Sequence, residues 1–312
     1  MKKKAIVIVG ATASGKTGLG VYVARKFNGE VISADSMQIY KGMSIATAKP
    51  TIEEMQGVSH HLIDFLPVTE KYSVSAYCND AKTVFDDVIS RGKLPVIVGG
   101  TGLYIDSFLS NTQFLDNAGS DTVRETLKKE YEIKGIEKLY EELCEVDPEA
   151  ARNIHPNNTV RVLRALEVYR ATGKTLTEQN LLSHNVESDI EPIYIAIGYR
   201  DRELLYDRIN KRVDIMLENG LLDEAKDFFK MNPSVTAFKA IGCKELKPYI
   251  DGEADLDICV DNLKRETRRY AKRQLTWFKR NNKIHWLYAD NKDRDTIYNE
   301  AEALIKEFLG GD

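Results

Sequence analysis

Long apolar runs are missing from this 312-residue chain. The two longest, residues 5–9 (AIVIV) and 94–98 (LPVIV), fall far short of the roughly 20 residues that cross a bilayer. No secretory leader precedes the first of them, so a cytoplasmic protein with no membrane partner is expected. Cysteine is scarce: Cys78, Cys144, Cys243 and Cys259 stand apart, with no C-x-x-C pair among them. That spacing supports neither a zinc site nor a disulfide framework, and the four read as ordinary reduced thiols. A net positive charge is lacking too, and the formal value of −4 excludes a uniformly basic coat for nucleic acid. Internal repeats and low-complexity linkers are absent.

What charge there is lies unevenly. Residues 261–283 hold nine Lys or Arg (264, 265, 268, 269, 272, 273, 279, 280 and 283) against Asp261 and Glu266. The positive face is therefore concentrated near the C-terminus. With 43% hydrophobic residues the chain has enough apolar surface for one large domain with an insertion, or for two domains.

The first hundred residues alternate short apolar runs with helical stretches: a strand at 5–9, a helix at 17–27, and strands at 31–34 and 61–65. A helix at 75–90 and a strand at 94–98 follow. Continuous apolar strands separated by helices predict a parallel sheet covered on both faces. From about residue 116 to 185 the strand signal gives way to charged, helical sequence. Asn157-Asn158 and Gly173 bracket a helix at 160–171. The run PIYIAIG at 192–198 reads as a strand again, followed by helices at 202–218, 223–230 and 263–280. The expected organisation is an α/β parallel-sheet core from residues 1–115 and 190–312, with a helical insertion domain at 116–189.

Residues 10–17 read GATASGKT, a full match to G-x-x-x-x-G-K-[ST] set between a buried-type strand and a helix. Such a loop points successive backbone N–H groups of Gly10, Ala11, Thr12, Ala13, Ser14 and Gly15 at phosphate oxygens, and the helix N-terminus adds its partial positive charge. Lys16 supplies a point charge and the Thr17 hydroxyl a ligand for Mg²⁺. The motif predicts a P-loop NTPase-like core and a bound diphosphate or triphosphate, without specifying ATP. Two more elements sit at the C-terminal ends of predicted strands, where open parallel sheets hold their ligands. They are Asp35 with Ser36, Met37 and Gln38, and the turn Gly99-Gly100-Thr101-Gly102.

The ordered set GATASGKT, DSMQIYKGMSIATAKP (35–50), HHLIDF (60–65), VGGTGLY (98–104), HPNNTVRVLRALEVY (155–169), RELLYDRINKRV (202–213), IGCKEL (241–246) and AKRQLTWFK (271–279) resembles the bacterial tRNA dimethylallyltransferases. The resemblance runs over nearly the whole chain. Ala11 replaces an expected proline, Ala46 a usual glycine and Cys243 a usual aromatic, which puts loop stiffness and one RNA-stacking contact in question.

The resemblance implies dimethylallyl diphosphate as donor, with Mg²⁺ as cofactor and the P-loop gripping the diphosphate leaving group. It implies a tRNA anticodon stem-loop as partner, modified at the exocyclic amine of the adenosine 3′ of the anticodon. Asp35 would be the general base, Thr101 a hydrogen-bond donor to the oxygen linking prenyl group and diphosphate, and Arg208 and Arg212 neutralisers of the diphosphate. Contacts to tRNA would involve Asp35, Ser36, Met37, Gln38, Thr101, Arg124, Arg161, Arg164, Gly242, Lys244, Arg268, Lys272, Arg273 and Trp277. A monomer is expected.

Other readings share these features. A small-molecule kinase would also use the P-loop, the early aspartate and the sheet. An RNA-binding NTPase switch would need Asp64, in HHLID, as its hydrolysis-linked aspartate. Arg208 and Arg212 could equally serve as surface ion-pair partners.

Overall fold

The computed structural model of the protein describes residues 2–112, 114, 120–183 and 187–310. Its elements run β1 (Lys3–Gly10), α1 (Lys16–Lys26), β2 (Gly29–Ser33), α2 (Ile52–Met55), β3 (His60–His61), α3 (Val74–Ser90), β4 (Leu94–Gly99) and α4 (Gly102–Leu109). After them come α5 (Ser120–Val146), α6 (Pro148–Asn153), α7 (Thr159–Thr172), α8 (Leu176–Ser183), β5 (Ile190–Gly198), α9 (Arg202–Glu218) and α10 (Leu221–Lys230). A short 3-10 turn (Ala237–Lys239), α11 (Cys243–Ile250), α12 (Leu256–Phe278), β6 (Ile284–Tyr288) and α13 (Arg294–Leu309) complete the order.

The chain divides into two compact units, residues 1–109 with 189–312, and residues 110–188. The expected junction at 115–116 lies outside the described residues. The first unit is built on a parallel six-stranded sheet in the order β3-β2-β4-β1-β5-β6. Strand β1 shows why this sequence makes a two-faced sheet, since successive side chains of a strand point to opposite faces. Ala5, Val7 and Val9 pack with Tyr77, Ala81 and Phe85 of α3 and with Tyr104, Ile105 and Phe108 of α4. Ile6 and Ile8 pack on the other face with Leu19 and Val23 of α1 and Ile297, Ala301 and Ile305 of α13. All five β1 side chains are fully buried. At roughly 25 cal/mol per Å² of apolar area, that burial is what holds the strand central.

A second core, without sheet, joins α9, α10, α11 and α12 to the segment after β2. Ile39, Tyr40 and Met43 bury against Val213, Phe228, Leu246 and Leu263. Glu224 of α10 fastens the same segment. Its Oε2 accepts the Ser44 and Ile45 N–H groups and its Oε1 accepts that of Ala46, each at 2.8 Å. The DSMQIYKGMSIATAKP stretch is thus pinned to helices more than 160 residues away in sequence.

The other unit packs α5, α6, α7 and α8 around Leu127, Leu139, Leu143, Val162 and Leu166. Helix α5 is broken at Gly135, whose φ of 76° lies outside the helical region. Helix α7 starts at Asn158, whose side chain caps the Arg161 N–H, and stops at Gly173 with φ 71°.

Three expectations need correcting. The strand expected at 61–65 pairs only through His60–His61, because Leu62 and Asp64 adopt positive φ (58° and 55°) and turn the chain away. The helix expected from 263 begins at Leu256, where Leu256, Cys259 and Leu263 already form its buried stripe. Strand β6 and helix α13 are additional.

Candidate functional site

The site grows from the C-terminal ends of three neighbouring strands, β2, β4 and β1. The P-loop follows β1. Gly10, Ala13 and Gly15 take positive φ (148°, 62° and 101°), which turns the loop around a concave backbone. Gly15 caps α1 without any side-chain hydrogen bond, so the first N–H groups of the helix stay available to an anion. Ser14 Oγ is buried in the loop with no hydrogen-bond partner among the described residues.

Lys16 reaches only the Ala11 carbonyl, at 3.4 Å. Burial pushes its ammonium down to about 8, partly countered by Asp35, while Arg212 reinforces the lowering. A lysine held this way keeps its proton more firmly when an anion arrives.

Arg208 and Arg212, one turn apart on α9, converge on the same loop. Arg208 Nε donates to the Ala13 carbonyl at 2.9 Å, and its guanidinium lies over the Tyr199 ring. Arg212 donates to the Thr12 hydroxyl. Burial lowers the Arg212 pKa, with Asp35 opposing that shift, and its Nε is buried without a partner among the described residues. Among the described residues neither arginine meets a carboxylate in an ion pair, so the surface salt-bridge alternative does not describe them. An orphaned buried guanidinium nitrogen beside a phosphate-type loop fits an anionic ligand.

Asp35 follows β2 and closes an Asx turn. Its Oδ1 accepts the N–H groups of Met37 (2.9 Å) and Gln38 (3.4 Å). Among the described residues its Oδ2 has no hydrogen-bond partner. Thr101 follows β4. Its Oγ1 accepts the Ser36 N–H at 3.0 Å and lies 3.3 Å from the Ser36 hydroxyl. Gln38 donates to the Thr47 and Ala48 carbonyls, both at 3.1 Å, so it works as a brace for the loop.

Asp35 is the shared wall of two clefts. The smaller is lined by Lys16, Thr17, Ser33, Asp35, Gln38 and His60 among others. The larger, about 230 Å³, lies between the loop after β2 and helices α9 and α12. Met37, Val213, Met216, Ile241 and Leu263 give it apolar walls, while Arg212, Lys239, Lys244 and Arg273 give it a positive rim. Oxygen donors of Thr17, Ser33 and Asp35 around the smaller cleft are the hard ligands that Mg²⁺ takes alongside phosphate oxygens and water, and the site fits that ion. Among the described residues no group of three or more His, Cys, Asp or Glu could hold a metal by itself.

Helix α12 contributes more than its basic face. Tyr270 lines the larger cleft, and burial, with Asp35 after it, raises its phenol well above the usual range while hydrogen bonding with Thr101 and Gln274 opposes the shift. The sequence places Tyr270 among the basic residues of this helix and gives Gln274 no role. Neither stands out in a charged amphipathic helix, because the clue is a polar residue falling on the buried stripe.

Other expected residues fall differently. Trp277 packs its indole over Gly102 and donates to Asp106 at 2.7 Å, which commits it to α4. Gly102 has room for no side chain, since a Cβ there would come within 2.2 Å of that indole. Gly242 has φ 122° and abuts Ala46, so residues 46 and 242 meet at the cleft beside Lys244. Cys243 is fully buried in the second core and presents no surface for stacking. Arg268 is half-buried and donates to Asn210 at 2.7 Å, whereas Lys272 and Arg273 are exposed. In the helical unit Arg124 and Arg164 both grip the buried Glu167 at 2.7 Å, and Arg161 is exposed. Asp64 pairs with Lys49 and lines neither cleft, which removes the support for a hydrolysis-linked aspartate. Among the described residues no helix is long and apolar enough to cross a membrane.

Comparison with known proteins places this geometry. The family described as IPP transferase matches residues 38–281. The chain is 49% identical over 309 residues to the tRNA dimethylallyltransferase of Caldanaerobacter subterraneus subsp. tengcongensis, covering 98% of this chain and 97% of that one. Among solved structures, it is similar to the full-length tRNA isopentenylpyrophosphate transferase of Bacillus halodurans, at 41% identity and a TM-score of 0.75, covering 99% and 97% of the two chains. A eukaryotic dimethylallyltransferase acting on tRNA aligns with a TM-score of 0.82 at 30% identity, covering 99% of this chain and 80% of that one. A P-loop met by two arginines of α9, an aspartate at the end of a parallel strand and this full-length similarity agree, and the chain belongs to the IPP transferase family.

Proposed function

We propose that the protein transfers a dimethylallyl group from dimethylallyl diphosphate to the exocyclic amine of the adenosine 3′ of a tRNA anticodon. The observation that carries this reading is Asp35 standing between the two clefts, with one carboxylate oxygen held by the Asx turn and the other open.

The donor's diphosphate belongs in the P-loop cradle, against the N-terminus of α1, Lys16, Arg208 and Arg212. Mg²⁺ would be held by Thr17 together with donor oxygens, where it supplies further charge neutralisation for the leaving diphosphate. An adenine in a stacked loop cannot reach Asp35, so the base enters the larger cleft extruded. Met37 and Ile241 give it apolar walls there.

As the amine nitrogen bonds to the prenyl carbon, the carbon–oxygen bond to the diphosphate breaks, and the excess proton on nitrogen passes to Asp35 Oδ2. Charge grows on the departing oxygen, where Thr101 can donate a hydrogen bond and the two arginines and Lys16 face the anion. The exposed Arg269, Lys272 and Arg273 on α12, and Arg161 on α7, offer phosphate contacts to the RNA.

Following inorganic diphosphate release separates this reading from a kinase. Release from dimethylallyl diphosphate should require tRNA, and ATP should yield no transferred phosphoryl group. ATP-dependent phosphorylation of a small acceptor would overturn the assignment.

Two consequences are measurable. Donor affinity should be flat below pH 7 and fall as pH rises through about 8, since free Lys16 loses its proton there whereas the diphosphate binds the ammonium form. Calorimetric titration of the donor from pH 7 to 9.5 checks this, and a constant affinity would remove Lys16 from the contact. For RNA, replacing Arg269, Lys272 and Arg273 by glutamine should flatten the slope of log affinity against log salt by roughly 0.7 to 0.9 per residue. Arg268, already engaged with Asn210, should give a smaller change. An unaltered slope across the series would show that this helix face is simply solvated.

A further inference from the structure

Gln274 is the least expected polar group near the site. It lies on the buried face of α12, only 4% exposed, and both ends of its amide are used. Its Oε1 accepts the Thr12 N–H at 2.8 Å, and its Nε2 donates to the Gly100 carbonyl at 3.0 Å. One side chain therefore joins the P-loop after β1 to the Gly-Gly-Thr-Gly turn after β4. The seat is shaped for it: a Cβ on residue 100 would come within 2.0 Å of Nε2.

The two residues it holds stand next to working groups. Thr12 receives the Arg212 guanidinium on its hydroxyl, and Gly100 precedes Thr101. Tyr270, one turn earlier on the same helix, stands beside both Thr101 and Gln274. The same turn of α12 carries the exposed Lys272 and Arg273.

We propose that Gln274 is a positioning residue of the transfer reaction: it fixes the spacing between the diphosphate loop and Thr101, and ties that spacing to the helix whose outer face meets RNA. The proposal rests on the prenyl-transfer reading. Only an amide does this work without strain, because it must accept from an N–H and donate to a carbonyl simultaneously. A carboxylate in its place would turn a second acceptor toward the Gly100 oxygen, and a methionine of similar length would leave both backbone groups unpaired.

Single-turnover transfer and donor titration on Gln274→Met and Gln274→Glu test this, with wild type run beside them. Gln274→Met should lower the transfer rate by about ten- to hundred-fold and weaken the donor, as a displacement near 1 Å does in a positioned site. Its affinity for tRNA should stay within about twofold of wild type. Gln274→Glu should recover toward wild type as pH falls, because the protonated acid again both donates and accepts, whereas Gln274→Met should show no such pH-dependent rescue. That pH-dependent ratio is a readout a purely structural role would not move. Gln274→Met with wild-type rate and donor affinity would overturn the inference, as would a Gln274→Glu to wild-type ratio that does not change with pH. A wild-type protein that transfers no prenyl group would instead overturn the reading beneath it.

Discussion

Asp35→Asn should lower the single-turnover transfer rate by roughly 10² to 10⁴ while leaving tRNA affinity nearly unchanged. An adenine exocyclic amine is a weak nucleophile, since its lone pair is delocalised into the ring. Attack on the prenyl carbon leaves a positively charged nitrogen that must shed a proton. The Asx turn fixes Oδ1 through the Met37 and Gln38 N–H groups and leaves Oδ2 without a partner among the described residues, on a side chain that lines both clefts. Asparagine preserves the turn, because its carbonyl oxygen still accepts those N–H groups, but its amide cannot take a proton. The same residue also lines the smaller cleft with Thr17. If its main task were to hold Mg²⁺, excess metal would partly restore the mutant through donor binding. Measurement at saturating tRNA, donor and Mg²⁺ separates the two, and a wild-type rate there would remove Asp35 from the role of base.

Lys16→Ala should lower the efficiency of donor use by about 10² to 10³, the typical effect of removing one preorganised group facing a developing anion. Lys16 is the half-buried first residue of α1, and among the described residues its one hydrogen bond is a long one to Ala11. Removing it costs the fold little, because a buried ammonium without a close carboxylate partner is not itself stabilising. The defect should therefore appear in donor kinetics and not in melting temperature, with tRNA binding intact. Thr17→Ala should share the donor defect and shift the Mg²⁺ requirement upward. Normal turnover of Lys16→Ala at low donor concentration would show that the P-loop grips something else.

Much of this site could be read along the chain because its parts are local. The loop GATASGKT needs only a strand before it and a helix after it, and both are signalled by the adjacent residues. Asp35 and Thr101 were readable for the same reason, since each directly follows an apolar strand. The convergence of Arg208 and Arg212 followed from their spacing of four on one helix, though their target did not.

What could not be read depends on contacts distant in sequence. Gln274 meets Thr12 across 262 positions, and nothing around it marks it as buried. Glu224 organises residues 44–46 by accepting three N–H groups, yet in sequence it is one more acid on an amphipathic helix. Trp277 is expected among the tRNA contacts, but its packing on Gly102 and its bond to Asp106, 171 positions away, are not legible in the sequence. The apolar run at 61–65 read as a strand because periodicity does not report that Leu62 and Asp64 turn with positive φ. Strand β6 sits at the sheet edge, short and flanked by polar residues, so its pattern was too weak to register.

The central claim is that the clefts on either side of Asp35 bring a prenyl donor to an adenine of tRNA. Incubating the protein with tRNA, Mg²⁺ and dimethylallyl diphosphate, then analysing the digested nucleosides by mass, tests it most directly. The account predicts one five-carbon unit on the base of the adenosine next to the anticodon, present with wild type and strongly reduced with Asp35→Asn. Unmodified adenosine with active, folded protein, or a five-carbon unit elsewhere in the tRNA, would contradict it.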